Sequence, residues 1–285
     1  MQLATYNIQF GLGKDGEIDI DRIARELNNA DIIALQEVER FWDRSLNLDE
    51  VKEIAELFPD HYYVYGPGID LNAGYRSARR ALVSRRKQFG NMILSRYPIL
   101  SSRNHLLYHR VEDPAKLTIQ RAAIEATIMT ELGALRILST HLSHSSAADR
   151  ERQIRQLQQR LADGVAERGV LTGDPGAGYW KRDPQPAPFS DQYIVMGDFN
   201  LTPGFPEYQM LTDKTSRAPL VDLAVATGQD GPSGWTCEEE DGRNRIDYVF
   251  CSPGLVSRVT SLHVDHAATG SDHQPVFATL SLLAS

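Results

Sequence analysis

Several short segments of this sequence end or begin an apolar run with a residue able to hold a cation or move a proton. Asn7 closes Thr5-Tyr6-Asn7. Glu37 follows Ile32-Ile33-Ala34-Leu35-Gln36, and His141 follows Leu138-Ser139-Thr140. Asp198 and Asn200 follow Ile194-Val195-Met196-Gly197, while Asp272 and His273 precede Gln274-Pro275-Val276. Taken singly, each has an ordinary structural reading, because Asn and Asp cap helices and fold turns and a glutamate leaving a strand is usually solvated. Together they make a set of carboxylates, amides and imidazoles at the ends of buried segments. Carboxylate and amide oxygens suit a hard cation such as Mg²⁺, and imidazoles transfer protons or contact anions. That combination fits chemistry on a phosphate ester.

The elements that must position these residues read as short strands. Apolar runs at Leu3 to Gln9, Ile32 to Gln36, Tyr62 to Tyr65, Met92 to Ser95, Ala122 to Met129 and Leu135 to Thr140 qualify. So do Tyr193 to Met196, Ile246 to Cys251 and Val276 to Leu282. Helical spacing unites Ile20, Ile23, Ala24 and Leu27, and then Val51, Ile54, Ala55 and Phe58, where Pro59 stops the segment. The longest helix is expected from Ala147 to about Glu167, with Ile154, Leu157, Leu161 and Val165 as its apolar stripe. Many strands with few helices imply two sheets packed face to face and covered by helices. A Gly- and Pro-rich tract at about 169–192 reads as a surface excursion, so residues 1–285 are expected to form a single domain.

Composition narrows the function classes. The chain has 285 residues, 41% hydrophobic and 24% charged, which are ordinary globular proportions and exclude low-complexity or disordered classes. No apolar run reaches the roughly 18 residues of a membrane span, and no basic segment precedes an apolar core at the N-terminus. The two cysteines, Cys237 and Cys251, give neither a disulfide framework nor a thiolate zinc cage, and a cytoplasmic location is expected. With a net charge of −8, any site for a polyanion must be local or metal-mediated. One run is locally basic: Arg76, Arg79, Arg80, Arg85, Arg86 and Lys87, with no acid between them.

Beyond these readings, the order of Gln36-Glu37-Val38, Thr140-His141-Leu142, Gly197-Asp198-Phe199-Asn200, Arg245-Ile246-Asp247-Tyr248-Val249-Phe250 and Ser271-Asp272-His273-Gln274-Pro275-Val276 resembles the endonuclease/exonuclease/phosphatase superfamily. Thr5-Tyr6-Asn7 and Gly90-Asn91-Met92-Ile93-Leu94-Ser95-Arg96 are similar to its first and mid-chain strands. The resemblance runs from about residue 3 to 283. It implies an α+β fold, a four-layered α/β sandwich in which two packed mixed β-sheets are flanked by helices, as in deoxyribonucleases. It also implies a metal-dependent phosphoric ester hydrolase that uses Mg²⁺, with Mn²⁺ as a substitute.

Carried over position by position, the resemblance makes Glu37 the principal metal ligand, with Asn7 and Asp272 in the same shell. It makes Asp198 the residue that orients or deprotonates water and Asn200 an amide donor to the phosphate. His273 would stand beside the scissile phosphate with Asp247 fixing its tautomer, and His141 would be a general acid. Asp198 and the Asp247–His273 pair both remain candidates for the base. In some nucleases of the family the acid histidine has its own carboxylate partner, and no candidate for it stands out here. Asn7 and Asn91, with Arg79, Arg80, Arg85 and Arg86 of the basic run, are the expected substrate contacts.

His141-Leu142-Ser143-His144 also reads as an H-x-x-H zinc pair, but without thiolates or an H-E-x-x-H helix His144 is expected to be a polar loop residue. His263 and His266 are expected to be exposed loop histidines. For the substrate, the leading expectation is a small or lipid-derived phosphodiester or phosphomonoester. An endo- or exonuclease acting on DNA or RNA is the second reading, and a catalytically silent binding module the third. The protein partners are not legible in the sequence.

Overall fold

The computed structural model describes residues 1–111, 115, 117–173, 188–239 and 242–281. In chain order its first strands and helices are β1 (Gln2–Asn7), α1 (Ile20–Leu27), β2 (Ile32–Arg40), α2 (Glu50–Leu57) and β3 (Tyr62–Asn72). There follow β4 (Tyr75–Arg76), β5 (Leu82–Val83), β6 (Arg86–Ser95), β7 (Ile99–Leu106), β8 (Ala122–Thr130), β9 (Gly133–His141) and α3 (Ala147–Glu167). The remainder is β10 (Tyr193–Asp198), α4 (Pro206–Thr212), β11 (Val221–Asp222), α5 (Leu223–Ala226), β12 (Cys237–Glu239), β13 (Gly242–Asn244), β14 (Asp247–Cys251), β15 (Val259–Val264) and β16 (Val276–Leu280).

Two six-stranded sheets result, ordered β15-β16-β1-β2-β6-β3 and β11-β14-β10-β9-β8-β7. Each is mixed in the same way. One central pair is parallel, β1 with β2 in the first sheet and β9 with β10 in the second, and the other neighbours are antiparallel. The central strands read as unbroken apolar runs because both their faces are buried. Leu3, Ile32, Ala34 and Ile93 point inward against Ile124, Ile137, Ile194 and Val249 of the other sheet. Their neighbours Ala4, Ile33, Leu35 and Leu94 face outward under Ile23, Leu27, Val51 and Ile54 of α1 and α2. On the far side, Leu138, Val195 and Phe250 meet Ile154, Leu157 and Leu161 of α3. Helices, sheet, sheet and helix therefore make four layers, the expected sandwich.

The helix stops and starts follow local chemistry. Asp19, Asp49 and Ser146 accept at the N-termini of α1, α2 and α3 from Arg22 N, Lys52 N and Asp149 N. α3 spans the predicted residues and ends on Arg168 in the left-handed region. The strands from the sequence reading are all present, several of them longer than expected. β7 and β15 were not foreseen, and neither was the β4–β5 hairpin. His263 is a correction: it lies within β15, stacked on Phe277 with ring centroids 5.0 Å apart. Most of the tract at about 169–192, residues 174–187, lies outside the described residues.

Candidate active site at the carboxyl ends of the two parallel pairs

Strand register gathers the chemistry. In the second sheet Asp198, the last residue of β10, stands opposite His141 of β9 on one side and Asp247 of β14 on the other. Three functional side chains thus form one row across adjacent strands. The spacing between β9 and β10 is kept by Gly197, whose φ is +147° and whose missing Cβ would lie 1.9 Å from Thr140 O. In the first sheet Asn7 ends β1 opposite Gln36, and Glu37 sits in a β-bulge between Leu35 and Val38. Glu37 has φ +59°, a conformation that costs energy for a non-glycine residue and turns its side chain out of the ladder. Behind the site the sheets are pinned together by Gln36 Nε2, which donates to Ser139 Oγ at 3.0 Å, while Ser139 Oγ donates to Leu35 O.

Asp198 is fully buried at the centre. Its Oδ2 accepts from Asn7 Nδ2 at 3.0 Å and lies 3.2 Å from His141 Nε2, while Oδ1 accepts from Asn200 N at 2.9 Å. Burial, with the charge of Asp247 adding, pushes its carboxyl up to about 7. His273 approaches from the other sheet, in the loop before β16, with Nε2 3.8 Å from Asp198 Oδ2 and 3.4 Å from Asn7 Nδ2. Its Nδ1 donates to Asp247 Oδ2 at 2.8 Å. Burial works against the imidazolium, but the carboxylates of Asp247 and Asp198 outweigh it and hold His273 well above the ordinary histidine range. Thr236 Oγ1 accepts from Ile246 N and Asp247 N, and Ser271 Oγ donates to Asn7 O and accepts from His273 N, so the dyad is fixed from both sides.

His141 is equally buried and has the opposite neighbour. Arg121, at the start of β8, donates from Nη1 to His141 Nδ1 at 3.0 Å and from Nη2 to His144 Nδ1 at 3.2 Å. A guanidinium only donates, so Nδ1 must be the acceptor and Nε2 carries the hydrogen that faces Asp198. Asn200 Nδ2 lies 3.0 Å from the same Nε2 and donates to Leu142 O. Burial first, then the positive charge of Arg121, drive His141 well below the usual histidine value. On its Nδ1 this histidine thus has a cation as its hydrogen-bond partner, with Glu37 Oε1 farther off at 3.9 Å. His144 is an exposed loop residue that accepts from Arg121, which accounts for it without zinc.

Arg121 escaped the sequence reading. The signal was an arginine immediately before the apolar run Ala122–Met129, where its chain position gives no hint that β8 lies beside the end of β9. Gln9 was missed as well: its Nε2 donates to Asp272 Oδ2 at 2.7 Å.

Two donor sets bear on a cation, the expected one of Glu37, Asn7 and Asp272 and a converging one of Asp198, Asp247 and His273. Glu37, Asn7 and Asp272 supply oxygens only. Glu37 keeps 21% of its side chain exposed, and burial, with the charge of Asp272 contributing, pushes its carboxyl upward against the pull of Arg121, His273 and the Asn7 amide. Asp272 is exposed, and its Oδ1 lies 3.1 Å from Ser271 Oγ. The second set, Asp198, Asp247 and His273, has one ligand atom from each within 4.8 Å of the others. In that set Asp247 Oδ2 is already taken by His273, while buried Asp247 Oδ1 has no hydrogen-bond partner among the described residues. Oxygen donors with an uncommitted carboxylate fit a hard divalent ion, so the residues present suit such a group.

The remaining expected contacts are placed less directly. Asn91 is buried on β6, and its Nδ2 donates to Ala122 O at 2.7 Å, tying the two sheets together beside Glu37. The basic run is not one loop: Arg86 and Lys87 begin β6, and Arg76 belongs to the β4–β5 hairpin. Arg86 is paired with Asp70 and Lys87 with Asp43, whereas Arg79 and Arg80 are exposed at the hairpin turn.

Buried carboxylates, two imidazoles and an oxygen-rich corner converge where two sheets of a four-layered sandwich meet, and this defines a class of phosphoesterase-like fold. Residues 4–273 match the endonuclease/exonuclease/phosphatase family, and the chain belongs to it. No curated protein matches the sequence. Among solved structures it is similar to an endonuclease/exonuclease/phosphatase from Beutenbergia cavernae DSM 12333, at 22% identity over 99% of this chain and 72% of that one, with a TM-score of 0.69. A family member from Bacteroides vulgatus is 17% identical over 99% of this chain and 98% of that one, with a TM-score of 0.67. A mannosyl-6-phosphatase from Bacteroides thetaiotaomicron VPI-5482 is 18% identical over 98% of this chain and 99% of that one, with a TM-score of 0.64. At these identities the likeness shows the fold. Members of the family are typically divalent-metal-dependent phosphoesterases or nucleases. No helix among the described residues is long and apolar enough to cross a membrane.

Proposed function

We propose that this protein hydrolyses a small or lipid-derived phosphodiester or phosphomonoester by attack of water on phosphorus. The observation that carries this reading is the buried Asp198 held between two imidazoles of opposite electrostatic setting. Asp198 is the base: with its carboxyl pushed up to about 7 it is ionised in part at neutral pH and basic enough to take a proton from water. His273, kept protonated by Asp247, is a poor base and instead presents Nε2–H to a phosphate oxygen. His141, neutral with Nε2–H, donates a hydrogen bond rather than a full proton, and Asn200 supplies an amide beside it. Asn7 orients Asp198 by donating to its Oδ2.

Glu37, with Asn7 and Asp272, would hold Mg²⁺ or, in substitution, Mn²⁺. A divalent ion there supplies polarisation of a non-bridging oxygen and stabilisation of charge on the leaving oxygen. Asn91 keeps the strand beneath Glu37 in place, and Arg79, Arg80, Arg85 and Arg86 form the cationic side of the substrate's approach. The free, buried Cys237 and Cys251 agree with work in a reducing compartment.

The test is a panel run with Mg²⁺: a bis-aryl phosphodiester, an aryl phosphomonoester, plasmid DNA, RNA and phosphoinositides. Hydrolysis of small or lipid esters, abolished by chelation and restored by Mg²⁺, is the expected result. Preferential cleavage of plasmid or RNA would transfer the protein to the nucleases, and turnover undiminished by chelator would refute the metal site. Glu37→Gln should then shift the Mg²⁺ titration to higher concentration.

A further inference from the structure

The β4–β5 hairpin carries exposed apolar side chains, Leu82 and Tyr75, that hydrolysis of a soluble ester does not need. It pairs Tyr75 with Val83 and Arg76 with Leu82, and it continues beyond the last partners of β3 and β6, Asn72 and Arg86. Along β6, Ser95 faces Ile32 and Gly90 faces Val38, so the hairpin projects from the end of the sheet where Glu37 lies. It is joined to the loop after β2 by Arg85, which stacks over Phe41 at 4.7 Å and Tyr75 at 5.5 Å.

Charge and apolar exposure coincide on this hairpin. Among the described residues, Arg76, Arg79, Arg80 and Arg85 have no carboxylate at ion-pair distance, in contrast to Arg44, Arg86 and Lys87, which are paired with Glu39, Asp70 and Asp43. On the hairpin and on β3 beside it, apolar side chains stand in water: Leu82 is 71% exposed and Leu71 51%, with Tyr75 at 51%. The aromatic rings nearby already carry a guanidinium on one face, Phe10, Trp42 and Phe89 from Arg44 and Phe41 and Tyr75 from Arg85. A strand of bases seeks free ring faces. Exposed leucines among unpaired arginines instead match a lipid surface, where the acyl boundary takes the leucines and headgroup phosphates take the guanidiniums.

We propose that the Tyr75–Val83 hairpin, with Leu71 beside it, docks this protein on the surface of an anionic phospholipid bilayer and so brings the Asp198 site to lipid-derived phosphate esters. The proposal rests on the hydrolase reading for its purpose, but docking is measurable without turnover. The full chain is sedimented in chelator with vesicles of phosphatidylcholine alone or phosphatidylcholine mixed with phosphatidylglycerol. Binding is expected on the mixed vesicles, and it should weaken as salt rises. Arg79→Ala with Arg80→Ala should weaken it by about twenty-five-fold, at roughly fivefold per cation at such a surface. Leu82→Ser with Leu71→Ser should weaken it by about tenfold with both charges intact. Arg25→Ala with Arg155→Ala, which removes the same charge from exposed sites elsewhere, should have little effect.

Equal binding to both vesicle types, or leucine variants that sediment like the parent, would overturn the proposal. So would a single-stranded oligonucleotide that binds through the same arginines and is indifferent to Leu82, since the patch would then serve nucleic acid. Circular dichroism of each variant separates lost docking from lost fold. An absence of all hydrolysis in the substrate panel would leave the vesicle result standing, and a failure to dock would leave hydrolysis untouched.

Discussion

Two histidines border Asp198, and the fold treats them in opposite ways. His273 donates a hydrogen bond from Nδ1 to Asp247, and that carboxylate holds the ring protonated. His141 accepts a hydrogen bond from Arg121 on the same ring atom, and that guanidinium helps burial hold the ring neutral. Burial is nearly the same for both, so burial does not set the difference. One ion beside Nδ1 decides it. The contrast shows how a sandwich builds a fixed cation and a fixed neutral donor from the same side chain, 3.8 and 3.2 Å from one carboxylate oxygen.

Breaking the shared partner should have the largest effect. Asp198→Asn keeps the size of the side chain but removes the base and turns an amide NH2 toward one of the donors around it, and the rate should fall by about a thousandfold or more at every pH. The charge it removes is a buried one. Burial raises this carboxyl above its unfolded value, so its contribution to stability is lost as pH rises through about 7, and the asparagine variant should melt no lower than the parent at neutral pH.

His273→Gln should follow, with a loss of about a hundredfold, and it removes one limb of the pH profile. In the parent the rate should fall below about 7 as Asp198 takes up a proton, and fall again at alkaline pH as His273 gives one up. His141 is pushed down and should add no limb between them. Asp247→Asn should cost about ten- to a hundredfold and move the alkaline limb toward lower pH while leaving the Mg²⁺ titration nearly unchanged. Collapse of the metal titration instead would assign Asp247 to the cation.

The smallest effects belong to the His141 side. His141→Gln retains an N–H donor and should lose about tenfold or less. Arg121→Met should lose a similar factor and let His141 titrate, adding a new ionisation to the profile. Kinetics from the parent, His141→Gln and Arg121→Met over the same pH range would sharpen the comparison.

The same contrast explains what the sequence made legible. Glu37, His141, Asp198, Asp247 and His273 were visible because each touches a central strand, and central strands buried on both faces read as continuous apolar runs. β7 and β15 were missed because both are sheet edges. Ile99–Leu106 has apolar residues only at its two ends, with Ser101-Ser102-Arg103-Asn104-His105 between them, and half of β15 is exposed. The β4–β5 hairpin has only two residues in each strand, too few for any periodicity. Arg121 was invisible for another reason. Its role depends on β8 lying next to β9, with Ala123 opposite Thr140, and that pairing is a property of register rather than of any local pattern.

The most direct test of the two-histidine account is a ¹⁵N imidazole NMR titration of the protein, with His141→Gln and His273→Gln used to assign the rings. At neutral pH the account predicts that His273 carries protons on both nitrogens and keeps them well into the alkaline range. It predicts that His141 stays neutral with its proton on Nε2 and takes up a second only at acidic pH. A protonated His141 beside a neutral His273, or two rings titrating together in the ordinary histidine range, would contradict it.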